Sequence, residues 1–292
     1  MGLLDKFQGI FGGGKVDIDK RFELLREAIS GTMSKFYMAR DRRDDRIVGL
    51  KVGDREKVTL FEARFKGLKK PPEGEIAMTL NGHPRIVETY EYGRTTNDLP
   101  YVVMEYLRGY GMQGLVHTRD PQIDGHRVLL IRQMAEALAY VHKKKYIHRD
   151  VCPRNFICTE DMESVKLIDF GLTLPAEKPY MQPGNRTGTP LYMAPEVVRR
   201  RSTDQRLDIF SFGVTAYHLC CYELPWPVSE TSGLAALAHD TSAPKSILEW
   251  RPSLNKSLAD AIMKCMEPNP DKRFQSMESF LQAIRGVEQD DE

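Results

Sequence analysis

Apolar residues change their spacing part-way along this chain, and that change limits the architectures open to it. As far as Glu105 the text runs in short β-rich stretches, 22–29, 36–40, 47–52, 86–92 and 101–104, broken by Gly, Asp and Asn. A single helix is expected among them. Pro71 and Pro72 suit its first turn, where a missing N–H costs nothing, and Ile76, Ala77 and Leu80 give it an apolar face. Beyond Gly114 the period becomes helical: Ile131, Met134, Ala135, Leu138 and Val141 share one stripe, and helical text returns from Leu207 onward. Strands segregated before helices predict an α+β chain in two lobes with a cleft between them. The length of 292 residues fits the same division at about 150 residues per domain.

Composition excludes several classes. Lys and Arg number 42 against 41 Asp and Glu, so no global charge draws the chain to nucleic acid or to an anionic membrane. The five cysteines are odd in number and form no C-x-x-C pair, which argues against a disulfide scaffold or a structural zinc site and for a reduced, cytoplasmic setting. Residues 209–221 are apolar but interrupted by Ser211, Gly213, Thr215 and His218, and read as a core helix too short to cross a bilayer. No secretion signal opens the chain, and Lys6 stands where myristoylation favours Ser or Thr. Leu3, Leu4, Phe7, Ile10 and Phe11 form an amphipathic stripe, the one route to a membrane surface. The run from Gly9 to Lys15 imitates a P-loop, but Val16 cannot ligate magnesium and no strand precedes it. Arg64, Lys66, Lys69 and Lys70 read as a solvated helix face.

Three motifs carry chemistry. His148-Arg149-Asp150-Val151-Cys152-Pro153-Arg154-Asn155 comes first, then Asp169-Phe170-Gly171, then Gly188-Thr189-Pro190-Leu191-Tyr192-Met193-Ala194-Pro195-Glu196. In this order and spacing they resemble the eukaryotic-type (Hanks-type) protein kinases, over nearly the whole chain. Gly-Thr-Met-Ser-Lys-Phe from Gly31 looks like the bacterial serine/threonine members. The resemblance implies a bilobal kinase fold: a tail over 1–20, a kinase domain over 21–286 (N-lobe 21–105, C-lobe 108–286) and an acidic tail over 287–292. It implies ATP and Mg²⁺ as cofactors and proteins as substrates.

Phosphoryl transfer asks a protein mainly for positioning and charge stabilisation. By resemblance, Asp150 accepts the proton of the substrate hydroxyl, and Asn155 and Asp169 hold magnesium through oxygen ligands. Lys51, in Ile47-Val48-Gly49-Leu50-Lys51, grips the α- and β-phosphates. Glu73 and Glu75 compete to be its partner, and the register of the following apolar residues selects Glu73. Ile29 and Gly31 belong to the phosphate-covering loop, where only the middle glycine of the family pattern is kept. Met104, Glu105 and Leu107 form the segment that bonds adenine, with Phe36, Gly49 and Ile157 around the ring. Asp208 resembles the buried aspartate that supports the catalytic loop, and Glu196 with Arg273 resembles the family's buried ion pair.

Two departures bear on activity. Cys152 stands where serine/threonine kinases carry a lysine, and Arg154, where receptor-type tyrosine kinases place an arginine, is the substitute cation. Thr189 points to the serine/threonine class, because there it contacts the catalytic Asp. Arg149 should meet the activation segment, 169–196, with Thr187 as the candidate phosphorylated residue, since Asn185 occupies the family's usual position. The alternatives are a nucleotide-binding pseudokinase scaffold, a dual-specificity or tyrosine kinase, and a small-molecule phosphotransferase, the last disfavoured by the platform 188–196.

Overall fold

The computed structural model describes residues 15–27, 33–65, 67–226 and 232–291, and the chain divides into two compact units, Met1–Gly82 with Val87–Leu107 and His83–Ile86 with Arg108–Glu292. The stripe over 3–11, and Ile29 and Gly31 of the phosphate-covering loop, lie outside the described residues.

The first unit opens with the short helix α1 (Ile18–Arg21) and is built on a five-stranded antiparallel sheet of order β1-β2-β3-β5-β4. Its strands are β1 (Phe22–Glu27), β2 (Ser34–Asp41), β3 (Arg46–Gly53), β4 (Thr89–Arg94) and β5 (Pro100–Glu105). Alternation along these strands sends Phe22, Ala39, Val48, Leu50, Tyr101 and Val103 into one core. The expected strand over 86–92 starts later, at Thr89, because Ile86 bridges to Leu167 in the second unit's own fold.

One helix was expected in this unit, but a longer one precedes it. α2 (Arg55–Glu62) starts where the Asp54 side chain accepts from Lys57 N–H at 3.1 Å, a cap that the alternating text around it obscures. α3 (Glu73–Thr79) follows, with Pro72 as its N-cap and Ile76 and Ala77 buried. Lys66 of the basic run lies outside the described residues, and Arg64, Lys69 and Lys70 do not share a helix face. Arg64 sits in a 3₁₀ turn after α2, and the Lys70 ammonium lies 5.4 Å from the centre of the Phe61 ring. Burial there lowers the Lys70 pKa. Lys15 of the P-loop imitation pairs with Asp98 at 3.2 Å.

The second unit is mainly helical. β6 (Tyr110–Gly111), α4 (Met112–Thr118) and α5 (Arg127–Lys143) lead to the small strands β7 (Tyr146–Ile147), β8 (Phe156–Cys158), β9 (Val165–Leu167) and β10 (Leu174–Pro175). Then come α6 (Pro195–Val198), α7 (Arg206–Cys221), α8 (Ser232–Thr241), α9 (Ile247–Trp250), α10 (Lys256–Cys265) and α11 (Met277–Ala283). The stripe on α5 is wholly buried, as is the apolar face of α7, whose Phe212 meets Phe280 of α11 edge-on at 4.8 Å. Among the described residues no helix is long and apolar enough to cross a membrane.

The acidic residues near the C-terminus fold back onto this unit. Asp290, 4% exposed, accepts from the N–H groups of Gly125 ahead of α5 and of Arg127 and Val128 at its start, and pairs with the fully buried Arg127 guanidinium at 3.3 Å. Asp291 takes two hydrogen bonds from Arg251, at 2.8 and 2.6 Å.

Candidate active site

In the first unit, regular structure places the chemistry. Strand β3 runs between β2 and β5 and sets Lys51 opposite Phe36 on one side and Val102 on the other. Lys51 is 7% exposed, and its Nζ meets Glu73 Oε1 of α3 at 2.5 Å, so the register argument for Glu73 selects the observed partner. Gly49, two residues earlier on β3, is paired with Met38 and Met104. A Cβ there would fall 2.8 Å from Phe36 Cζ and 3.1 Å from Met104 Cγ, so the missing side chain lets those two close over the strand. Beyond β5 the backbone leaves the ladder. Glu105 N–H still bonds Glu88 O at 2.9 Å, and Glu105 Oε1 accepts from Glu88 N–H at 2.7 Å. Leu107 is half-buried, and its N–H makes no hydrogen bond with a described residue.

In the second unit irregular backbone carries the chemistry, held by side chains from afar. Asp208, in the first turn of α7, is fully buried. Its two oxygens accept from His148 N–H and Arg149 N–H, both at 2.8 Å, and Oδ2 also lies 2.9 Å from His142 Nε2. Burial opposes the charge on Asp208, but these hydrogen bonds and the neighbouring histidines overcome it and hold the carboxyl below its ordinary range. The loop suspended in this way presents Asp150.

Asp150 Oδ1 accepts from Thr189 N–H at 2.9 Å and from the Thr189 hydroxyl at 2.6 Å. Its Oδ2 accepts from Asn155 Nδ2 at 3.1 Å and lies 3.5 Å from an Arg154 guanidinium nitrogen. That same Arg154 nitrogen donates to Thr189 Oγ1 at 3.0 Å. Asp150, Arg154, Asn155 and Thr189 are thus brought together. Cys152 joins them, with its sulfur 3.7 Å from Thr189 Oγ1. Burial, with Asp150 beside it, pushes the Cys152 thiol up to about 12, so it is neutral and the loop's cation is Arg154.

Asn155 spends its amide nitrogen on Asp150, donating also to the backbone oxygen of that residue at 2.6 Å, while its side-chain oxygen accepts nothing from a described residue. Asn155 O accepts from Ile168 N–H, and β8 then pairs with β9 from Phe156↔Leu167 onward. This register sets Asp169 next to Asn155. Asp169 has φ +65°, and its Oδ1 accepts from Gly171 N–H at 2.9 Å. Ile157, half-buried on β8, faces Lys166 and Gly111.

The segment 184–196 is fastened at several points. A terminal nitrogen of Arg149 donates to Asn185 O at 2.9 Å and to the Thr187 hydroxyl at 3.1 Å. Gly188 has φ +125°, and a Cβ there would lie 2.8 Å from Arg149 O, so both the turn and the close approach exclude a side chain. Tyr192 Oη lies 2.8 Å from His218 Nδ1. Burial takes the His218 pKa down to about 4 and the Tyr192 pKa far up, so a neutral hydroxyl and a neutral imidazole share this hydrogen bond. Met193 O accepts from His239 Nδ1 at 2.7 Å, and Glu196 and Arg273 form a buried two-bond pair, both at 2.8 Å. The sequence offered no sign of the two histidine pins, since each is an isolated residue in a helical stripe.

A protein kinase domain profile matches residues 22–283. The chain belongs to the protein kinase family. Kinases of this family use ATP with Mg²⁺. The chain is similar to the serine/threonine-protein kinase PknB of Mycolicibacterium smegmatis, 30% identical over 271 residues covering 89% of this chain and 41% of that one. PknB of Mycobacterium tuberculosis is 31% identical over 267 residues, covering 89% and 41%. PrkC of Bacillus subtilis is 28% identical over 271 residues, covering 92% and 40%. The chain spans about two fifths of the length of the curated relatives it matches.

Proposed function

We propose that this chain is a serine/threonine protein kinase that transfers the γ-phosphoryl group of Mg-ATP to protein hydroxyls. The observation that carries the reading is Thr189, which sets both its N–H and its hydroxyl on Asp150 Oδ1. The carboxylate is thereby oriented by the peptide platform itself. The names of the relatives, PknB and PrkC, support the same class.

The residues suit the two ligands the reaction needs. Asn155 keeps an amide oxygen and Asp169 a carboxylate on adjacent backbone, a hard-oxygen pair suited to Mg²⁺. Bound there, magnesium supplies charge neutralisation at the phosphates. Lys51, oriented by Glu73, takes the α- and β-phosphates. Leu107 N–H and Glu105 O take adenine, with Phe36, Gly49 and Met104 beside the ring. Asp150 receives the proton from the substrate hydroxyl. Arg154 supplies the cation near the transferring group that the neutral Cys152 thiol cannot. A phosphate on Thr187 would meet Arg149. Proteins are the substrates, and five free thiols fit a reducing, cytoplasmic compartment.

The test is transfer of radiolabel from ATP to a generic protein substrate, followed by phosphoamino-acid analysis, with Asp150→Asn as the control. Phosphoserine or phosphothreonine is expected, falling by roughly 10²–10³ in the variant. Mainly phosphotyrosine would sink the class, and an undiminished Asp150→Asn rate would sink the site.

A further inference from the structure

The chain is balanced in charge, 42 cations to 41 anions, but its platform is not. Residues 182–203 contain Arg186, Arg199, Arg200 and Arg201 against one carboxylate, Glu196. Glu196 offers that surface nothing, being 6% exposed and locked in its two bonds to Arg273.

Three other carboxylates around this segment are also committed: Asp240 serves Arg199 at 2.5 Å, and Asp204 and Asp271 both serve Arg206 at 2.8 Å. Glu177 is exposed and forms no ion pair with a described residue. The cations are less occupied. Arg200 and Arg201 are exposed and Arg186 is half-buried, and none of the three forms an ion pair or side-chain hydrogen bond with a described residue.

Arg186 is held close to the chemistry. Its neighbours Asn185 and Thr187 are fastened to Arg149, and Thr189, three residues on, is fastened to Asp150. Arg154 adds a second cation beside Thr189. One of its nitrogens is engaged at Thr189, the rest of its guanidinium is uncommitted among the described residues, and its side chain is 45% exposed. A peptide laid against Thr189 therefore meets the guanidinium groups of Arg154 and Arg186, and Arg186 has no counter-charge among the described residues.

We propose that this surface selects substrates with carboxylates flanking the acceptor serine or threonine. The proposal rests on the kinase reading above and names the substrate class for it. A basic peptide would meet like charge at Arg154 and Arg186, a mismatch that discriminates as effectively as an attraction.

The test is direct binding to the full chain, read by fluorescence anisotropy. Three labelled peptides share one central serine flanked by Asp and Glu, by Asn and Gln, or by Lys. At about 50 mM salt the acidic peptide should bind about tenfold tighter than the neutral one, and the advantage should shrink at about 500 mM as the charges are screened. Arg186→Gln should remove about threefold of the preference, as half-exposed ion pairs do. Equal affinity for the three peptides overturns the proposal. So does an oligonucleotide of equal charge binding as tightly as the acidic peptide, which would make the surface a general polyanion site. Phosphorylation of all three peptides at one efficiency overturns the proposal and leaves the kinase reading intact. Absence of phosphorylation on every peptide overturns the kinase reading, and the substrate assignment falls with it.

Discussion

Lys51 and Asp150 are charged groups of comparable burial that reach their positions by opposite means. Lys51 stands in the middle of a regular strand, and its partner Glu73 stands at the start of a regular helix. Asp150 stands on a loop whose shape is fixed by Asp208 from sixty residues away and by Thr189 from thirty-nine. A strand carries its own backbone hydrogen bonds, so replacing one side chain changes one group of contacts. A loop borrows its hydrogen bonds, so removing one distant side chain leaves several buried donors without acceptors. The catalytic loop should therefore be the more fragile of the two under mutation.

The largest expected effect breaks that comparison if it fails. Asp208→Ala removes the acceptor of two backbone N–H groups and leaves the His142 ring without its partner. It should cost about 3–5 kcal/mol in denaturant unfolding, against about 1 kcal/mol for Glu73→Gln. Equal losses would show that the loop is not suspended as described.

Next in size, Lys51→Met should cut phosphoryl transfer by roughly 10²–10³ while leaving the unfolding midpoint near that of the wild type. The retained apolar stem fills the same place between β2 and β5. A folded Lys51→Met protein with wild-type turnover would remove this residue from the site.

A finer comparison lies within the loop. Arg154→Ala should slow turnover about tenfold, since one charged hydrogen bond beside the base is lost, whereas Cys152→Ala should leave it nearly unchanged. Equal losses from the two variants would mean that Arg154 does not replace the missing lysine.

The smallest effect concerns the platform and pH. The pKa of His218 lies at about 4 in the fold, below its ordinary 6.5. Its stabilising share is therefore complete above pH 6.5 and is lost as pH falls toward 4. The loss should already be about 1 kcal/mol at pH 6. Protonation also puts a charge into the buried contact with Tyr192. His218→Asn should flatten this acid slope in thermal melts, and an unchanged slope would assign it to other groups.

What the sequence made legible follows the same division. The strand 47–52 was readable from its β-rich text, because regular structure writes a pattern into the sequence, whereas Lys51 on it was singled out by resemblance to a family. Asp150, Asn155 and Asp169 were readable only through their resemblance to a family, since nothing local tells a turn carboxylate from a base. Helix α2 was missed because its signal is a single cap, Asp54, between two strand-like stretches. His218 and His239 were missed because a pin between a helix and a loop depends on tertiary distance alone. Cys152 could be noted as an oddity, but its neutrality needed the burial to be known.

Asp290 closes contacts with residues that precede it by more than 160 positions. During synthesis at about 5–20 residues per second, that separation is a wait of roughly ten to thirty seconds on the ribosome. Until it ends, the Arg127 guanidinium has Asp124 alone, at 2.7 Å, and the first amides of α5 lack the acceptor that Asp290 supplies. The helix that feeds the catalytic loop is thus among the last parts of its unit to become secure. A nascent chain halted short of residue 290 should present this helix, rather than the earlier sheet, to proteases and chaperones.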